Sequence, residues 1–428
     1  KCDYTAGRWI YAADYPHYSG NPAKTNFCPF IRSSYNCERN GRPDSLYRQL
    51  KWKAKGCDME YFDAAVFAKM MKNKRMLLVG DSIMGNLYES LLCSIYTGGY
   101  EAEEAVFCAM FPCHPTPITA ILCRNTIAPR FSHPSSSPCP RAPFLFTAFP
   151  DHSLFPFFPP DPSALPRNPS DPQRGHKPLN SVKAIFFPTF NFSVAYFFSP
   201  YLMDAFQQQT NGAKRGGAHG YVVNVTSVHP TVVRLLPMYD VAVFSSGTWW
   251  LQNVPGRKQP NTFMVNGVVQ QNITNIEAFR TGLKTLANHV KQSNFSGIPF
   301  FLTFNPKHGP VMRTARGDGA CGAVQPIGPK GAFKWYESIR TAEEYFKMQR
   351  RVLTSSSNMR VVKVTRMSEM RPEGHLGMWW QKRDNVTEAF ATPDLGDCTH
   401  WCLPGVPDAW LDVMYAYMRL EPALNPGS

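Results

Sequence analysis

The chain has 428 residues, 43% of them hydrophobic, which suits one large α/β core with an appended lobe. Its formal charge of +14 leans toward an acidic glycan or a membrane surface; there is no dense Lys/Arg run and no nucleic-acid motif, so nucleic acid is excluded as the expected partner. No apolar run is long enough to span a bilayer, because Pro, Asp and His interrupt the aromatic stretch 144–160, and any targeting segment is expected ahead of Lys1.

Residues 1–60 carry Cys2, Cys28, Cys37 and Cys57 among Tyr, Trp, Gly and Pro with little periodicity, the composition of a loop-rich lobe stapled by disulfides. From residue 61 to 428 the pattern changes to that of a single α/β domain. A helix is predicted over 62–71 and a strand over 76–79; a Gly80-Asp81-Ser82 turn follows, then Ile83, Leu87 and Leu91 at helical spacing. That order delivers an exposed serine at a helix start. Residues 186–196 read as strand-like alternation. Strand 241–244, helix 276–290, strand 299–304, helix 336–353 and strand 361–364 follow, and a last helix opens at Pro407-Asp408 with Leu411, Met414 and Met418 on one side. Alternation of this kind predicts a doubly wound parallel sheet with its reactive loops at the C-terminal ends of the strands.

The stretch 107–179 does not follow this grammar. It is dense in Pro, Ser, His and unpatterned Phe, has neither helical nor strand period, and adds Cys108, Cys113, Cys123 and Cys139. A structureless loop of this length is foreign to a compact domain, so we read it as a disordered insertion, a retained intron or a gene-model error. Twelve cysteines in a chain with sequons at Asn191, Asn224, Asn272, Asn294 and Asn385 point to an oxidising secretory lumen. With the insertion set aside eight cysteines remain, which pair in about 105 ways.

The chemistry rests on two short segments. A serine hydroxyl needs a base to take its proton, and a histidine serves best when a carboxylate fixes its tautomer. Ser82 follows a buried strand and heads an amphipathic helix, where a developing oxyanion meets the positive end of the helix dipole. Asp397 and His400, three residues apart, supply the orienting acid and the base from one loop, with Cys398 and Cys402 close beside them. Asp81 is read as a turn or capping residue. No metal site is expected.

The run Cys2-Asp3-Tyr4-Thr5-Ala6-Gly7-Arg8-Trp9 and the segments Cys28-Pro29-Phe30, Asn40-Gly41-Arg42-Pro43-Asp44 and Lys55-Gly56-Cys57-Asp58 join Gly80-Asp81-Ser82 and Asp397-Cys398-Thr399-His400-Trp401-Cys402 in one pattern. Together they resemble the plant trichome birefringence-like family over nearly everything except the insertion. The resemblance implies an SGNH/GDSL-like α/β fold and a polysaccharide O-acetyltransferase of the Golgi lumen, held by an N-terminal membrane anchor. Its triad would fall on Ser82, Asp397 and His400, with an acetyl-serine intermediate. The co-substrate would be an acetyl donor, either acetyl-CoA or an acetylated carrier fed by a membrane protein, with no tightly bound cofactor. The acceptor would be a cell-wall polysaccharide, xylan first. The resemblance also implies the pairs Cys2–Cys57, Cys28–Cys93, Cys37–Cys402 and Cys321–Cys398, and substrate contacts at Asn86, Gly247, Trp249, His308, Arg371 and His375. Two positions depart from the family pattern: Gly85 stands where an arginine is usual and Thr248 where a histidine is usual, which bears on substrate contacts. A carbohydrate acetylesterase and a non-catalytic polysaccharide binder are the alternative readings.

Overall fold

Successive residues of a β-strand face opposite ways, so a strand apolar at every position must be covered on both faces. Past its exposed first residue Arg75, the central strand β3 (Arg75–Gly80) is of this kind: Met76 and Leu78 enter one core, Leu77 and Val79 another. This computed structural model describes residues 2–4, 6–16, 18–106, 123–126, 182–207, 220–251, 261–308, 321, 326–328, 337–356, 358–381 and 396–425. In chain order the lobe contributes β1 (Gly7–Tyr11) and β2 (Leu50–Ala54), an antiparallel pair, and α1 (Ala64–Met70) leads into β3. There follow α2 (Ser82–Thr97), β4 (Glu103–Val106), β5 (Cys123–Thr126), β6 (Val182–Phe187), β7 (Phe192–Phe198), β8 (Met203–Gln207), β9 (Tyr221–Val228) and α3 (Pro230–Leu235). Then come β10 (Val241–Ser245), β11 (Thr262–Val265), β12 (Val268–Gln270), α4 (Asn275–Gln292), β13 (Ile298–Leu302) and α5 (Glu337–Ser356). The chain closes with β14 (Arg360–Val362), α6 (Thr365–Glu369), β15 (His375–Gly377), β16 (Asp397–Trp401) and α7 (Val406–Met418).

The main sheet runs β14-β13-β10-β3-β7-β6-β4-β5. Its first five strands are parallel, as doubly wound topology requires, but β7, β6, β4 and β5 pair antiparallel, so the sheet is mixed. The cause is local. The single alternating run expected over 186–196 is broken by a turn at Pro188–Phe190, with Asn191 in the left-handed region at φ 51°, and becomes the hairpin β6–β7. On one face α1, α2 and α7 bury Phe67, Leu87, Leu91, Trp410 and Met414. On the other, α4 and α5 bury Phe279, Leu283, Leu286 and Tyr345, next to the smaller sheet β12-β11-β9-β8.

The lobe shares the first of these cores through Tyr4 and the fully buried Trp52, whose indole N–H donates to the Tyr4 carbonyl at 2.8 Å. Four disulfides join Cys2–Cys57, Cys28–Cys93, Cys37–Cys402 and Cys321–Cys398, the pairs that the family resemblance implies. Two of them cross from the lobe to α2 and to the end of β16. Of the expected insertion only β5 is described, paired along the sheet edge with β4; the rest of 107–179 lies outside the described residues. No helix among the described residues is long and apolar enough to cross a membrane.

Candidate active site

Strand β3 can lie against β10 only because its last residue lacks a side chain. A Cβ on Gly80 would sit 2.5 Å from the Ser245 carbonyl oxygen. Asp81 then caps α2, its carboxylate accepting from the Ile83 N–H at 2.9 Å, while its carbonyl accepts from the Tyr196 hydroxyl at 2.8 Å. Burial pushes the Asp81 carboxyl up to about 6, against those backbone hydrogen bonds. The turn is thus held from both sides, and Ser82 opens the helix.

Asp397 and His400 lie on strand β16, not on a loop. It pairs antiparallel with β15, His375 opposite Trp401 and Gly377 opposite Asp397. His400 Nε2 lies 2.6 Å from Ser82 Oγ, and His400 Nδ1 lies 2.6 Å from Asp397 Oδ2. The other carboxylate oxygen accepts the Thr399 and His400 N–H groups at 2.9 and 3.0 Å. Burial opposes ionisation of Asp397, but the hydrogen bond and charge of His400 and the two backbone donors outweigh it and hold the carboxyl well below its ordinary range. An ionised Asp397 keeps the proton on Nδ1 and leaves Nε2 to accept from the serine.

The structure brings these three side chains together, but it removes most of the expected glycan contacts from solvent. Asn86 is fully buried and brackets the Trp401 backbone, its Nδ2 donating to the Trp401 carbonyl at 3.1 Å and its Oδ1 accepting the Trp401 N–H at 3.3 Å. Arg371 is fully buried between Glu373 and the Tyr47 carbonyl, with its guanidinium over the Trp9 ring. His308 and His375 are buried against each other and beneath Trp401. Gly247 is buried too, and a Cβ there would lie 2.1 Å from the Phe304 ring. The side chains of Asn86, Arg371, His308 and His375 are spent inside the fold and reach no polymer, and Gly247 has no side chain to offer. Trp249 alone of the six keeps part of its surface, within an aromatic cluster of Phe198, Tyr201 and Tyr221.

Two lobe residues that no local signal marked reach the site. Tyr35 stacks on His400 with ring centroids 5.6 Å apart, and its hydroxyl donates to the Ser82 carbonyl at 3.2 Å. Arg32 lies over Tyr35, pairs with Glu89, and occupies the space in front of Gly85, where its Nη2 would be 3.1 Å from an added Cβ. The only hint in sequence was indirect, a Cys37 two residues from Tyr35 that bonds to Cys402 beside His400. Of the sequons, Asn191, Asn272 and Asn294 are exposed, Asn224 is half-buried in β9, and Asn385 lies outside the described residues.

A family model described as PC-Esterase, the GDSL/SGNH-like acyl-esterase family found in Pmr5 and Cas1p, matches residues 59–111 and 165–417. A second, the PMR5 N-terminal domain, matches residues 1–58. Among proteins of Arabidopsis thaliana, xyloglucan O-acetyltransferase 1 is similar, 26% identical over 98% of this chain and 80% of its own length. So are trichome birefringence-like 43, at 25% over 97% and 87%, and trichome birefringence-like 31, at 24% over 98% and 82%.

Proposed function

The chain belongs to the PC-Esterase family, and on that premise we propose that it is a serine-dependent O-acetyltransferase that moves acetyl to hydroxyls of a plant cell-wall polysaccharide. The observation that carries the reading is the line from Ser82 Oγ through His400 to Asp397, both contacts 2.6 Å, at the head of a 16-residue helix. In the first half-reaction Ser82 Oγ attacks the acetyl carbonyl of the donor as His400 Nε2 takes the serine proton. The Ser82 N–H, at the positive end of α2, faces the developing oxyanion. The tetrahedral intermediate collapses, the donor group leaves with the proton from His400, and acetyl-Ser82 remains. In the second half a sugar hydroxyl gives its proton to His400 and attacks the acetyl carbon; the ester bond to Ser82 breaks and the serine regains its proton. Atoms and charge balance across the cycle, and no metal is called for.

We propose xylan as the first acceptor to test and xyloglucan, the substrate in one relative's name, as the second. The donor we propose is acetyl-CoA or an acetylated carrier. The four disulfides support a secretory lumen, in a plant cell the Golgi. A second reading is favoured by one observation: the His400 and Asp397 side chains keep 25% and 27% of their surface exposed, so water reaches the acetyl-enzyme unless an acceptor covers it, and the same residues then act as an acetylesterase. Incubating the purified protein with acetyl donor and deacetylated xylan, xyloglucan, mannan and pectin oligosaccharides, with mass detection, tests both. A gain of about 42 Da on an oligosaccharide supports transfer. Release of acetate without such a gain supports hydrolysis, and neither product would sink both readings in favour of a non-catalytic binder.

A further inference from the structure

Beneath the site three contacts run in a line. His308 Nε2 lies 2.9 Å from the Glu369 carbonyl, His308 Nδ1 lies 2.7 Å from His375 Nε2, and His375 Nδ1 lies 2.9 Å from the carbonyl of His400. Both ends of the line are backbone carbonyls, which only accept. Making all three hydrogen bonds therefore takes three N–H protons on the four ring nitrogens, and two neutral imidazoles bring two. One further proton, held between the rings, completes the line. Neither ring trades this for solvent: His308 and His375 are 1% and 2% exposed.

We propose that His375, backed by His308, is a positioning residue for the catalytic histidine, and that the two rings take up one proton as a single unit on acidification. The functional half of this rests on the acyl-transfer reading. His375 grips the backbone of His400, not its ring, and is clamped in turn. Its ring stacks on Trp401 at 3.8 Å between centroids, and its own carbonyl accepts from Arg42 at 3.2 Å. A shift of the His400 carbonyl moves Nε2 relative to Ser82, and misplacement by about 1 Å costs on the order of 10²-fold in rate.

Burial sets the direction of titration, and the charged groups around the pair act on top of it. From β16, the Asp397 carboxylate favours a proton on His375 and a charged His400 opposes it; from α6, Glu369 lies next to Glu343 of α5, which pairs with Arg366. The Arg371–Glu373 pair and Arg42 close the lobe side. Burial is the largest influence on both rings: it pulls His308 down to about 4 and His375 well below its ordinary value, so the pair is neutral near pH 7 and gains its proton in acid. In the neutral pair the Asp397 charge favours a proton on the His375 ring, and a proton on Nδ1 is the one that keeps the bond to the His400 carbonyl.

Two measurements test this. In the wild-type full chain labelled with ring-¹⁵N histidine, the His308 and His375 nitrogens should shift together with one midpoint in acid and a total uptake of one proton. Two separate midpoints, or an unprotonated His375 Nδ1 at pH 7, would overturn the unit. This readout does not depend on catalysis, so it stands apart from any failure of the proposed function. For the positioning role, His375→Asn places an amide N–H where Nδ1 lies, whereas His375→Leu has no donor. With p-nitrophenyl acetate, His375→Leu should lose on the order of 10²-fold in kcat with KM unchanged, and His375→Asn should recover to within about tenfold of wild type. Equal kcat in the two variants, high or low, overturns the role.

Discussion

Replacing Asp397 by Asn isolates the one atom that sets the histidine tautomer. Asp397 Oδ1 accepts the Thr399 and His400 backbone N–H groups, and the Asn carbonyl oxygen inherits those two bonds unchanged. The Asn amide nitrogen then falls at the place of Oδ2, 2.6 Å from His400 Nδ1, where it donates instead of accepting. Nδ1 must become the acceptor, so the imidazole proton moves to Nε2, which faces Ser82 Oγ and can no longer take the serine proton. In a triad of this geometry the wrong tautomer lowers kcat on the order of 10⁴-fold, about 5 kcal/mol of barrier. The assay is release of p-nitrophenol from p-nitrophenyl acetate at pH 7, with circular dichroism melts of both proteins as the control for folding. Stability has its own sign. The Asp397 pKa is depressed in the folded state, so its contribution is present above the unfolded value of about 3.9 and is lost as pH falls through the folded value. The wild type's margin over the variant should therefore shrink below about pH 4. An Asp397→Asn protein that folds normally and keeps activity within tenfold of wild type would refute the assignment.

Ser82→Ala should abolish acetyl transfer with an unchanged melting temperature, and intact mass after exposure to donor should show an adduct of about 42 Da on wild type only; an adduct on the variant would place the nucleophile elsewhere. Gly247→Ala drives a Cβ to 2.1 Å from the Phe304 ring and should cost about 1–3 kcal/mol by urea unfolding, with no loss counting against the tight packing behind the site. Cys321→Ser opens the loop closed by Cys398, beside Asp397, and should cost about 2–5 kcal/mol and lower kcat; non-reducing peptide mapping of wild type that finds Cys398 free would contradict the clamp. Replacing 107–182 by Asn-Gly should preserve activity and improve expression. Ala105 pairs with Ala184, so Val106 and Lys183 face each other and need a two-residue turn between them, where a direct splice of Ala105 to Lys183 leaves none. Poorer folding of that variant would make the stretch a real element.

The local features of this protein were legible because local forces make them. An apolar strand, a capping aspartate and a serine at the start of an amphipathic helix are set by neighbours within a few residues, and the spacing of Asp397 and His400 already places acid and base within reach. The reversal at Pro188–Asn191 was written in the same local terms, yet the alternation on either side of it read as one strand because period alone does not show a change of direction. Which polar groups face solvent was not legible at all. Asn86, His308, Arg371 and His375 have the residue types of ligand contacts, and only the fold shows them sealed behind Trp401 and the lobe. Tyr35 and Arg32 reach the site from a lobe with no catalytic pattern of its own, carried there by disulfides that close over 365 and 65 residues. Burial depends on what packs over a residue from elsewhere in the chain, and a sequence lists neighbours in order while solvent, dielectric and hydrogen-bond partners are assigned by neighbours in space.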